Sequence, residues 1–549
     1  MDDAVPQTLT SQRQRREHRR IGRLRRASPR RGCGCKNRDR DRDSGHVMMA
    51  REKTAKKGCQ ILARIPHSFK RHTMPSVSIS TPHADLVVAG AGAAGMMAAL
   101  VAAHHGASVL LLERDPGGPS NLMVSGGLFP GAGTRYQAEA GIADDPDRFA
   151  GDAHAKAGGA VDPPVLAAIA AQSAPAVHFL ADVAGLPIKL LAGLSVPGHS
   201  AVRLHATPAE SGRELHALLR GAVSACSLIQ CVDDAEAIEL LTEVDPSSAG
   251  DAPRIRGLRA SVHGQHHDFA APAVLLATGG FAANPELLAE YLPEMKGALH
   301  IGAGANDGRA VNLGRALGAD LGFMQGYQGQ GHVNPPEGRT RLGMSLPPLG
   351  AFLVNRDGRR FVSEDIGPSE LAAFVLAQPG GVALEVFDAR IHASASTQGP
   401  YREAFEAGKI HIAQSPADLA HHFNIPRQSF EDTFARFIAA VASGHDAEWG
   451  RQRFGPALAP PLYGAWVTGA LAHTQGGLRV DANARVLRSD GSVIKGLYAA
   501  GGAAASISGV GGAGYLPGNG LAQSFGLAML ASQHVAARAV KASLRARAQ

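Results

Sequence analysis

Three glycines, Gly90, Gly92 and Gly95, stand in the G-x-G-x-x-G spacing directly after a short apolar run, and Glu113 follows 23 positions after the first of them. In such a pattern the first glycine permits a tight turn, the second lets backbone approach a pyrophosphate, and the third lets a helix pack on a strand. The free N–H groups of the helix N-terminus then face the phosphates. A carboxylate at Glu113 can accept hydrogen bonds from a ribose diol, so these four residues predict an adenine-dinucleotide site.

A strand, a turn and a helix in direct succession must position these residues. The sequence predicts a strand over 86–89, an amphipathic helix over 96–104 and a second strand that ends at Glu113. Residues 86–103 are eighteen positions without a charge, which is near the lower limit for a membrane span. Their alanine and glycine content, and the polar His104 and His105 that follow, favour a buried β-α unit, and no membrane span is expected.

Two later apolar strands also end in glycine. The run AVLLATGGF ends in residues 277–280, and GLYAAGG covers residues 496–502, while a last helix is predicted to begin near Leu521. Strand-end glycines bring backbone against a ligand at the carboxyl edge of a parallel sheet. We therefore expect three distant strand ends to converge on one dinucleotide. The stretch 114–149, rich in Gly, Ser and Asn, is predicted to be a long loop that contacts the ligand, with a flexible connector as the alternative.

The charge of the chain is unevenly distributed. Residues 1–73 hold 21 Lys/Arg against 7 Asp/Glu, a net charge of +14, whereas the remainder holds 34 against 41, a net of −7. We predict that residues 1–79 are a disordered basic leader and that Met74 is the natural start of the protein. No apolar segment follows the arginines, as a secretory signal would require. A nucleic-acid-binding arm is the less favoured alternative.

The cysteines argue against a metal site. Three of the five lie in the leader, and the body retains only Cys226 and Cys231, without metal-ligand spacing or a disulfide framework. This usage fits a reducing cytoplasm, so a cytoplasmic protein without a metal is expected.

At 549 residues the chain exceeds what one core usually organises, so two or more domains are expected. Residues 323–471 differ in texture from the rest: they hold the aromatic and histidine cluster QGYQGQGHVN, the hairpin-like LVNRDGRRFVSED, and predicted helices over 415–422 and 428–443. We predict an α/β fold in which this α+β domain is inserted between the two parts of the dinucleotide-binding domain, residues 80–322 and 472–549.

The ordered set AGAGAAG…LLLER, SNLMVSGG, ATGGF, VNRDGRRFV, HTQGGLRVD and GLYAAGG resembles the FAD-dependent fumarate reductase and 3-ketosteroid dehydrogenase superfamily, which includes tricarballylate dehydrogenase. The resemblance spans residues 85–537 and implies FAD rather than NAD, a discontinuous Rossmann-like FAD-binding domain, and a mobile cap domain over the flavin. No histidine lies in the SNLMVSGG loop for attachment, so non-covalent FAD is expected. By the same resemblance, the cofactor-binding residues are Gly90, Gly92, Ala94, Gly95, Glu113, Arg114, Ser120, Asn121, Ser125, Gly126, Gly127, Val232, Ala277, Thr278, Gly279, Gly501, Gly502, Asn519 and Leu521.

The departures from the family concern the substrate. The arginine proton donor of fumarate reductases corresponds in this sequence to Pro368, and the arginine that clamps a substrate carboxylate corresponds to Tyr515. Tyrosine cannot reproduce the bidentate fork by which arginine recognises a carboxylate, so fumarate and succinate are not the expected substrates. The family histidine before T-x-G-G is retained as His473.

What remains is hydride exchange between flavin N5 and a carbon next to an activating carbonyl, coupled to proton transfer at the neighbouring carbon. Tyr515 is the leading catalytic candidate, because 3-ketosteroid dehydrogenases use a tyrosine in their C-terminal glycine-rich loop. His473, Tyr327 and His332 follow, the last two because QGYQGQGHVN occupies the cap entrance in the family. For each of the four, the structural alternative is a packed core residue.

Three functions stay open at this point. The favoured one is dehydrogenation or reduction of a ketosteroid-like or other apolar ketone, a small-molecule substrate, with an unknown electron acceptor. A tricarballylate-like polyacid is the runner-up, for which Arg203, Arg339 or Arg341 would supply a relocated clamp. The third is a non-catalytic flavin-binding redox sensor or partner subunit.

Overall fold

The computed structural model of the protein describes residues 83–244, 253–336, 340–343 and 346–548. The predicted leader, residues 1–79, lies outside these ranges, and its disorder and the start at Met74 stay predictions.

The described residues form twenty strands and fifteen α-helices. The strands are β1 (Leu86–Ala89), β2 (Val109–Glu113), β3 (Phe129–Pro130), β4 (Lys189–Leu190), β5 (Leu204–Ala206), β6 (Ile229–Asp233), β7 (Ala235–Glu243), β8 (Arg254–Val262), β9 (Gln265–Ala270), β10 (Val274–Leu276), β11 (Leu299–His300), β12 (Leu321–Gly322), β13 (Tyr327–Val333), β14 (Phe352–Val354), β15 (Val382–Asp388), β16 (His411–Ala413), β17 (Leu462–Thr474), β18 (Gly477–Leu478), β19 (Arg485–Leu487) and β20 (Val493–Ala499). The helices are α1 (Ala93–His104), α2 (Asn121–Val124), α3 (Arg135–Glu139), α4 (Pro146–Lys156), α5 (Pro163–His178), α6 (Gly212–Ala225), α7 (Pro285–Tyr291), α8 (Arg309–Arg315), α9 (Leu346–Leu349), α10 (Pro368–Leu376), α11 (Ala389–Ala395), α12 (Gly399–Glu406), α13 (Pro416–Phe423), α14 (Arg427–Ser443) and α15 (Asn519–Ala548).

The first large sheet has the strand order β19-β20-β10-β1-β2-β6, and all its pairings are parallel except that of β19 with β20. Its central strands β1 and β10 are apolar and buried on both faces, as strands of a helix-covered parallel sheet usually are. The predicted strands at 86–89 and before Glu113 are therefore present, and they pair in parallel with Val87 beside Leu110.

Helix α1 differs from the amphipathic helix that we predicted. Every residue from Ala93 to Ala103 is buried, because α1 packs against α6 and α15 as well as against the sheet. The hydroxyl of Ser532 in α15 donates a hydrogen bond to the carbonyl oxygen of Ala98, 434 residues away. A helix covered on all sides needs no polar face, so the uncharged stretch 86–103 is a buried β-α unit, as expected.

Among the described residues, one helical segment, Pro163–Val183, is long and apolar enough to cross a membrane by length and composition. It consists of α5 and a short π-helix, and 56% of its apolar window is buried inside the protein. Because α5 packs against α4 and α15, this pattern is typical of a core helix.

The second large sheet is built around β17, which pairs with β11 in parallel and with β13, β15 and β16 in antiparallel fashion, while β14 extends it beyond β15. A separate group of buried apolar residues, from Leu342 to Val467, packs around this sheet. The domain limits and the Rossmann-like and cap assignments stay predictions.

The predicted hairpin LVNRDGRRFVSED is absent from the described structure: only β14 is a strand, and the residues after it form a turn. Arg360 in that segment is buried between the carboxylates of Glu364 and Asp446, which are 2.7 and 2.9 Å from its Nη2. Glu364 Oε1 also accepts a hydrogen bond from the N–H of Leu353 in β14, so side-chain contacts connect this segment to β14. The helices predicted at 415–422 and 428–443 are present as α13 and α14.

Candidate active site

Three strand ends meet at one edge of the first sheet. Ala89 lies in register with Leu276, and Leu276 lies in register with Ala499, so the chain leaves β1, β10 and β20 side by side. The N–H of Ala277 donates to the carbonyl of Ala89, and the N–H of Ala500 donates to the carbonyl of Leu276. The structure thus brings together the glycine-rich segments at 90–95, 277–280 and 500–502, as the sequence predicted.

The N-terminus of α1 opens at this edge. Gly92 is its N-cap residue and makes no side-chain cap, and a methyl group placed on Gly92 would meet no protein atom within 4 Å. A helix start with free N–H groups and open space in front attracts a phosphate.

Two orphaned polar atoms lie near the same edge. Among the described residues, five buried side-chain oxygens lack a hydrogen-bond partner, and two of them are Thr278 Oγ1, after β10, and Asn519 Oδ1, at the start of α15. The amide of Asn519 is held from its other end, because Nδ2 lies 3.4 Å from Ser508 Oγ. Buried oxygens without partners are costly unless a ligand or water satisfies them, so both fit contacts to a bound polar group.

The two predicted residues at the end of β2 have different surroundings. Glu113 accepts hydrogen bonds from the backbone N–H groups of Ala91 (2.7 Å) and Asp115 (2.9 Å), so it ties the glycine turn to β2. Arg114 points into an ion-pair cluster in which Nη1 lies 2.5 Å from Asp307 and 3.3 Å from Glu236. Burial lowers the pKa of Arg114, but these carboxylates outweigh it and raise the pKa above its ordinary value.

The stretch 114–149 is more ordered than the long loop that we predicted, since it contains α2, β3, α3 and the start of α4. Ser120 caps α2 by accepting from the N–H of Met123, and Asn121 Oδ1 accepts from the N–H of Ala303 at 2.8 Å. Ser125 Oγ accepts from the N–H of Gly127.

The remaining predicted cofactor residues lie on the elements that reach this edge of the sheet. Val232 in β6 pairs with Leu112 in β2. A methyl group placed on Gly501 would lie 3.1 Å from Ala94 Cβ in α1. Gly126 and Gly279 lie in the segments after α2 and β10, Gly502 lies in a short 3-10 turn after β20, and Leu521 lies in the first turn of α15.

Tyr515 and His473 come together from distant parts of the chain. Tyr515 lies in the loop 514–518, called the Tyr515 loop below, directly before α15, and His473 lies near the end of β17. Their ring centroids are 5.8 Å apart and the rings are inclined at 76°. A methyl group on Gly520 would lie 3.7 Å from His473 Nε2, so His473 also faces the first turn of α15. The structure therefore joins two of the four catalytic candidates.

Both rings of this pair favour their uncharged forms. Burial raises the pKa of Tyr515 to about 12, with the backbone of Gly518 acting in the opposite direction. Burial likewise lowers the pKa of His473, partly offset by the carbonyl of Thr474. Near neutral pH the pair is a phenol beside a neutral imidazole.

The other two candidates lie on β13, where Tyr327 pairs with Thr474, the residue after His473. Tyr327 is buried in a small apolar cluster with Phe281 and Met324, and burial raises its pKa to about 12. Gln328 is the residue of β13 that pairs with His473. His332 is four residues further along, about 13 Å at the rise of a strand, and its Nδ1 lies 2.9 Å from Glu385 Oε2. His332 therefore does not join the Tyr515 pair.

None of the arginines proposed as a relocated clamp faces the pair in the described structure. The guanidinium of Arg203 is fully buried and is bound by Asp144 through two hydrogen bonds of 2.9 Å and by Asp152. Arg341 is exposed, and Arg339 lies outside the described residues. Pro368 begins helix α10.

Two residues that contact the Tyr515–His473 pair or its loop escaped the sequence reasoning. Gln475 Nε2 lies 3.3 Å from His473 Nδ1, and its position inside the HTQGG motif was a usable signal. His199 contacts the Tyr515 loop from 318 residues away through the carbonyl of Pro517, and no local pattern in the sequence indicated that contact.

Comparisons with known proteins agree with this geometry. A family model described as FAD binding domain matches residues 85–521. A fumarate reductase (cytochrome) of Shewanella frigidimarina is 29% identical over 466 residues, which are 83% of this chain and 78% of that protein. A 3-oxosteroid 1-dehydrogenase of Mycobacterium tuberculosis is 30% identical over 302 residues, 49% of this chain and 53% of that protein. The solved open conformation of a flavocytochrome c3 fumarate reductase matches with a TM-score of 0.71 at 27% identity, covering 83% of this chain and 78% of that one.

Proposed function

We propose that this chain, which belongs to the FAD binding domain family, oxidises or reduces a C–C bond beside a carbonyl group. The proposed substrate is a neutral, ketosteroid-like or other apolar ketone. FAD is its cofactor, and it is an oxidoreductase that acts on CH–CH bonds. The substrate class and a cytoplasmic location are the parts that this proposal adds, and it names no electron acceptor.

The observation that carries the proposal is the uncharged pair of Tyr515 and His473. A neutral ketone needs a hydrogen-bond donor at its carbonyl oxygen, and a phenol with a pKa of about 12 keeps its proton at neutral pH. A dicarboxylate would instead need cationic partners, since arginine is the residue that binds carboxylates through two parallel hydrogen bonds. Arg203, one of the arginines considered for that role, is already bound by Asp144 and Asp152.

The residues at the sheet edge fit the cofactor. When bound, FAD accepts or supplies the hydride of the reaction. The N-terminus of α1 at Gly92 would hold the pyrophosphate, and Glu113 would hold the ribose. The unpartnered oxygens of Thr278 and Asn519 would receive hydrogen bonds from the bound group.

In this arrangement Tyr515 donates a hydrogen bond to the substrate carbonyl and polarises it. The His473 ring packs edge-on against the Tyr515 ring and limits the orientations of that ring. The end of β17 borders the segment after β10, because the N–H of Phe281 donates to Thr474 Oγ1. A substrate that contacts Tyr515 beside His473 would therefore lie near the cofactor edge.

The names of two relatives point to two different substrate classes that an experiment must distinguish. One relative is named for fumarate and the other for a 3-oxosteroid. A tricarballylate-like polyacid is the second candidate from the sequence. Arg203, one of the arginines considered as its clamp, is bound by the carboxylates of Asp144 and Asp152.

The test is an anaerobic substrate panel followed by flavin absorbance. Saturated 3-ketosteroids and simple cyclic ketones are expected to bleach the oxidised flavin, whereas succinate and tricarballylate are not. The reverse reaction is followed with reduced enzyme and either an unsaturated ketone or fumarate. Rapid turnover of fumarate or tricarballylate, with no response to any ketone, would overturn the proposed substrate class.

A further inference from the structure

A continuous set of hydrogen bonds supports the Tyr515 loop from behind. The ring nitrogen Nε2 of His199 lies 2.8 Å from the carbonyl oxygen of Pro517, two residues after Tyr515. The other ring nitrogen, Nδ1, lies 3.1 Å from Nη1 of Arg203. One imidazole therefore bridges a buried guanidinium and the backbone of the catalytic loop.

These two neighbours determine the tautomer of His199. A guanidinium can only donate hydrogen bonds, so Nδ1 of His199 must be the acceptor from Arg203. A carbonyl oxygen can only accept, so Nε2 must carry the hydrogen and donate to Pro517. Both contacts require the same neutral form, and a proton on Nδ1 would place two N–H groups against each other.

Arg203 is itself held in one orientation. Asp144 binds its Nε and Nη2 in a fork of two 2.9 Å hydrogen bonds, and Asp152 binds Nη1. The His199 ring stacks on Phe149, with centroids 6.4 Å apart and planes inclined at 17°. Each ring nitrogen and one ring face of His199 thus has a fixed partner.

The apolar side of the same contact fits closely. Leu516 is fully buried, and a methyl group placed on Gly198 would lie only 2.7 Å from Leu516 Cδ1. The segment that carries His199 therefore lies directly on the Tyr515 loop, and the bond to Pro517 is the polar link between them.

We propose that His199 is a positioning residue that, oriented by Arg203, fixes the Tyr515 loop in its catalytic arrangement through the carbonyl of Pro517. The proposal rests on the proposed role of Tyr515 for its effect on turnover, but not for its effect on the loop. Arg203 acquires a different role from the substrate clamp expected from the sequence: it holds the support of the catalytic tyrosine.

The electrostatics around His199 agree with a neutral ring. Burial lowers its pKa first, and Arg203 lowers it further, while the carbonyl of Pro517 and the carboxylates of Asp152 and Asp144 act in the opposite direction. The net direction is downward from the ordinary value, so the bridging tautomer is maintained near neutral pH.

The test compares His199→Phe with His199→Gln in the full-length holoenzyme. Phenylalanine keeps the stacking on Phe149 but removes both polar contacts, whereas glutamine can donate from Nε2 and accept at Oε1. We expect amide hydrogen exchange in peptides spanning residues 513–519 to rise about tenfold in His199→Phe, with kcat falling about tenfold and KM changing less than twofold. His199→Gln is expected to restore most of both quantities.

Three results would separate the possibilities. Unchanged exchange and unchanged kcat in His199→Phe would overturn the positioning role. Raised exchange in His199→Phe together with full turnover in a Tyr515→Phe variant would keep the positioning role and refute the function proposed for Tyr515. If His199→Phe does not fold, ¹⁵N NMR of histidine-labelled wild-type protein decides, since a hydrogen on Nδ1 of His199 would contradict the bridge.

Discussion

A methyl group placed on Gly95 would lie 1.8 Å from the carbonyl oxygen of Gly90, far inside van der Waals contact. The first turn of α1 therefore rests directly on the backbone that leaves β1. Gly92, between them, faces open space instead. Glycines three residues apart in one motif thus serve different purposes, one for packing and one for access to a ligand.

Replacing each of these glycines by alanine separates the two purposes. Gly95→Ala is expected to yield no folded protein, because neither contacting backbone can move away. Gly92→Ala is expected to fold with an unchanged melting temperature but to bind FAD at least tenfold more weakly, measured by titration of the apoprotein. Gly221→Ala, on the exposed side of α6, is the control and should leave FAD binding unchanged. Equal FAD affinity in Gly92→Ala would contradict a pyrophosphate at the start of α1.

The unpartnered hydroxyl of Thr278 predicts opposite effects of its removal on the stability of the apoprotein and on its affinity for FAD. Thr278→Val preserves shape and removes a buried oxygen that lacks a partner in the described structure, so the apoprotein should be as stable as wild type or slightly more so. FAD binding should weaken about tenfold, about 1.4 kcal/mol, because a hydrogen bond to the cofactor is lost. Urea unfolding of the apoprotein and fluorescence titration with FAD measure the two effects.

A matched control is Thr433→Val in α14. The hydroxyl of Thr433 is fully buried but accepts a 3.0 Å hydrogen bond from Arg436, so its loss should lower stability and leave FAD affinity alone. A Thr278→Val apoprotein that is destabilised to the same degree, with normal FAD affinity, would show that its hydroxyl has no ligand role.

Tyr515→Phe tests the proposed hydrogen-bond donor. The ring would still pack against His473, so the flavin spectrum and melting temperature should be retained, while kcat falls by about two orders of magnitude or more. Tyr463 lies in β17, and its ring stacks on that of Phe387 with centroids 5.6 Å apart. The control variant Tyr463→Phe should turn over normally. Full turnover of a ketone substrate by Tyr515→Phe would remove this residue from the catalytic set.

The parts of the fold that could be predicted from the sequence are those with local signals. The apolar run before Gly90 and the glycine after β10 each mark a strand end by themselves, and parallel pairing then brings the ends together. The burial of α1 on all sides could not be predicted, because it depends on α15 and contacts such as that of Ser532 with Ala98.

The site shows the same limit. Tyr327 and His332 are close in the sequence, but a strand carries them apart at about 3.3 Å per residue, so proximity in QGYQGQGHVN did not mean a common site. The partners of Arg203 lie 51 and 59 residues before it, and no spacing rule connects them. Side chains that neutralise a buried arginine are selected by tertiary packing, which a single sequence does not reveal.

The last prediction concerns acid stability and rests on His205, which lies next to Arg203 and is fully buried. Its Nδ1 lies 2.9 Å from the carbonyl of Arg203 and its Nε2 lies 3.0 Å from Thr134 Oγ1, and burial lowers its pKa to about 4. The folded state therefore keeps His205 neutral, while the unfolded chain takes up a proton below its ordinary pKa of about 6.5. The contribution of His205 to the free energy of unfolding is therefore fully present above pH 6.5. It is lost as the pH falls towards 4, by about 3 kcal/mol in total.

Equilibrium urea unfolding of wild type and His205→Gln, measured between pH 7.5 and pH 4, isolates this contribution as a difference. The variant should be less stable at pH 7.5 but should lose less stability on acidification, because glutamine does not titrate. His154→Gln, at an exposed histidine of α4, is the control and should follow the wild-type curve. Parallel curves for wild type and His205→Gln would mean that His205 titrates alike in the folded and unfolded states, and that its burial beside Arg203 does not keep it neutral.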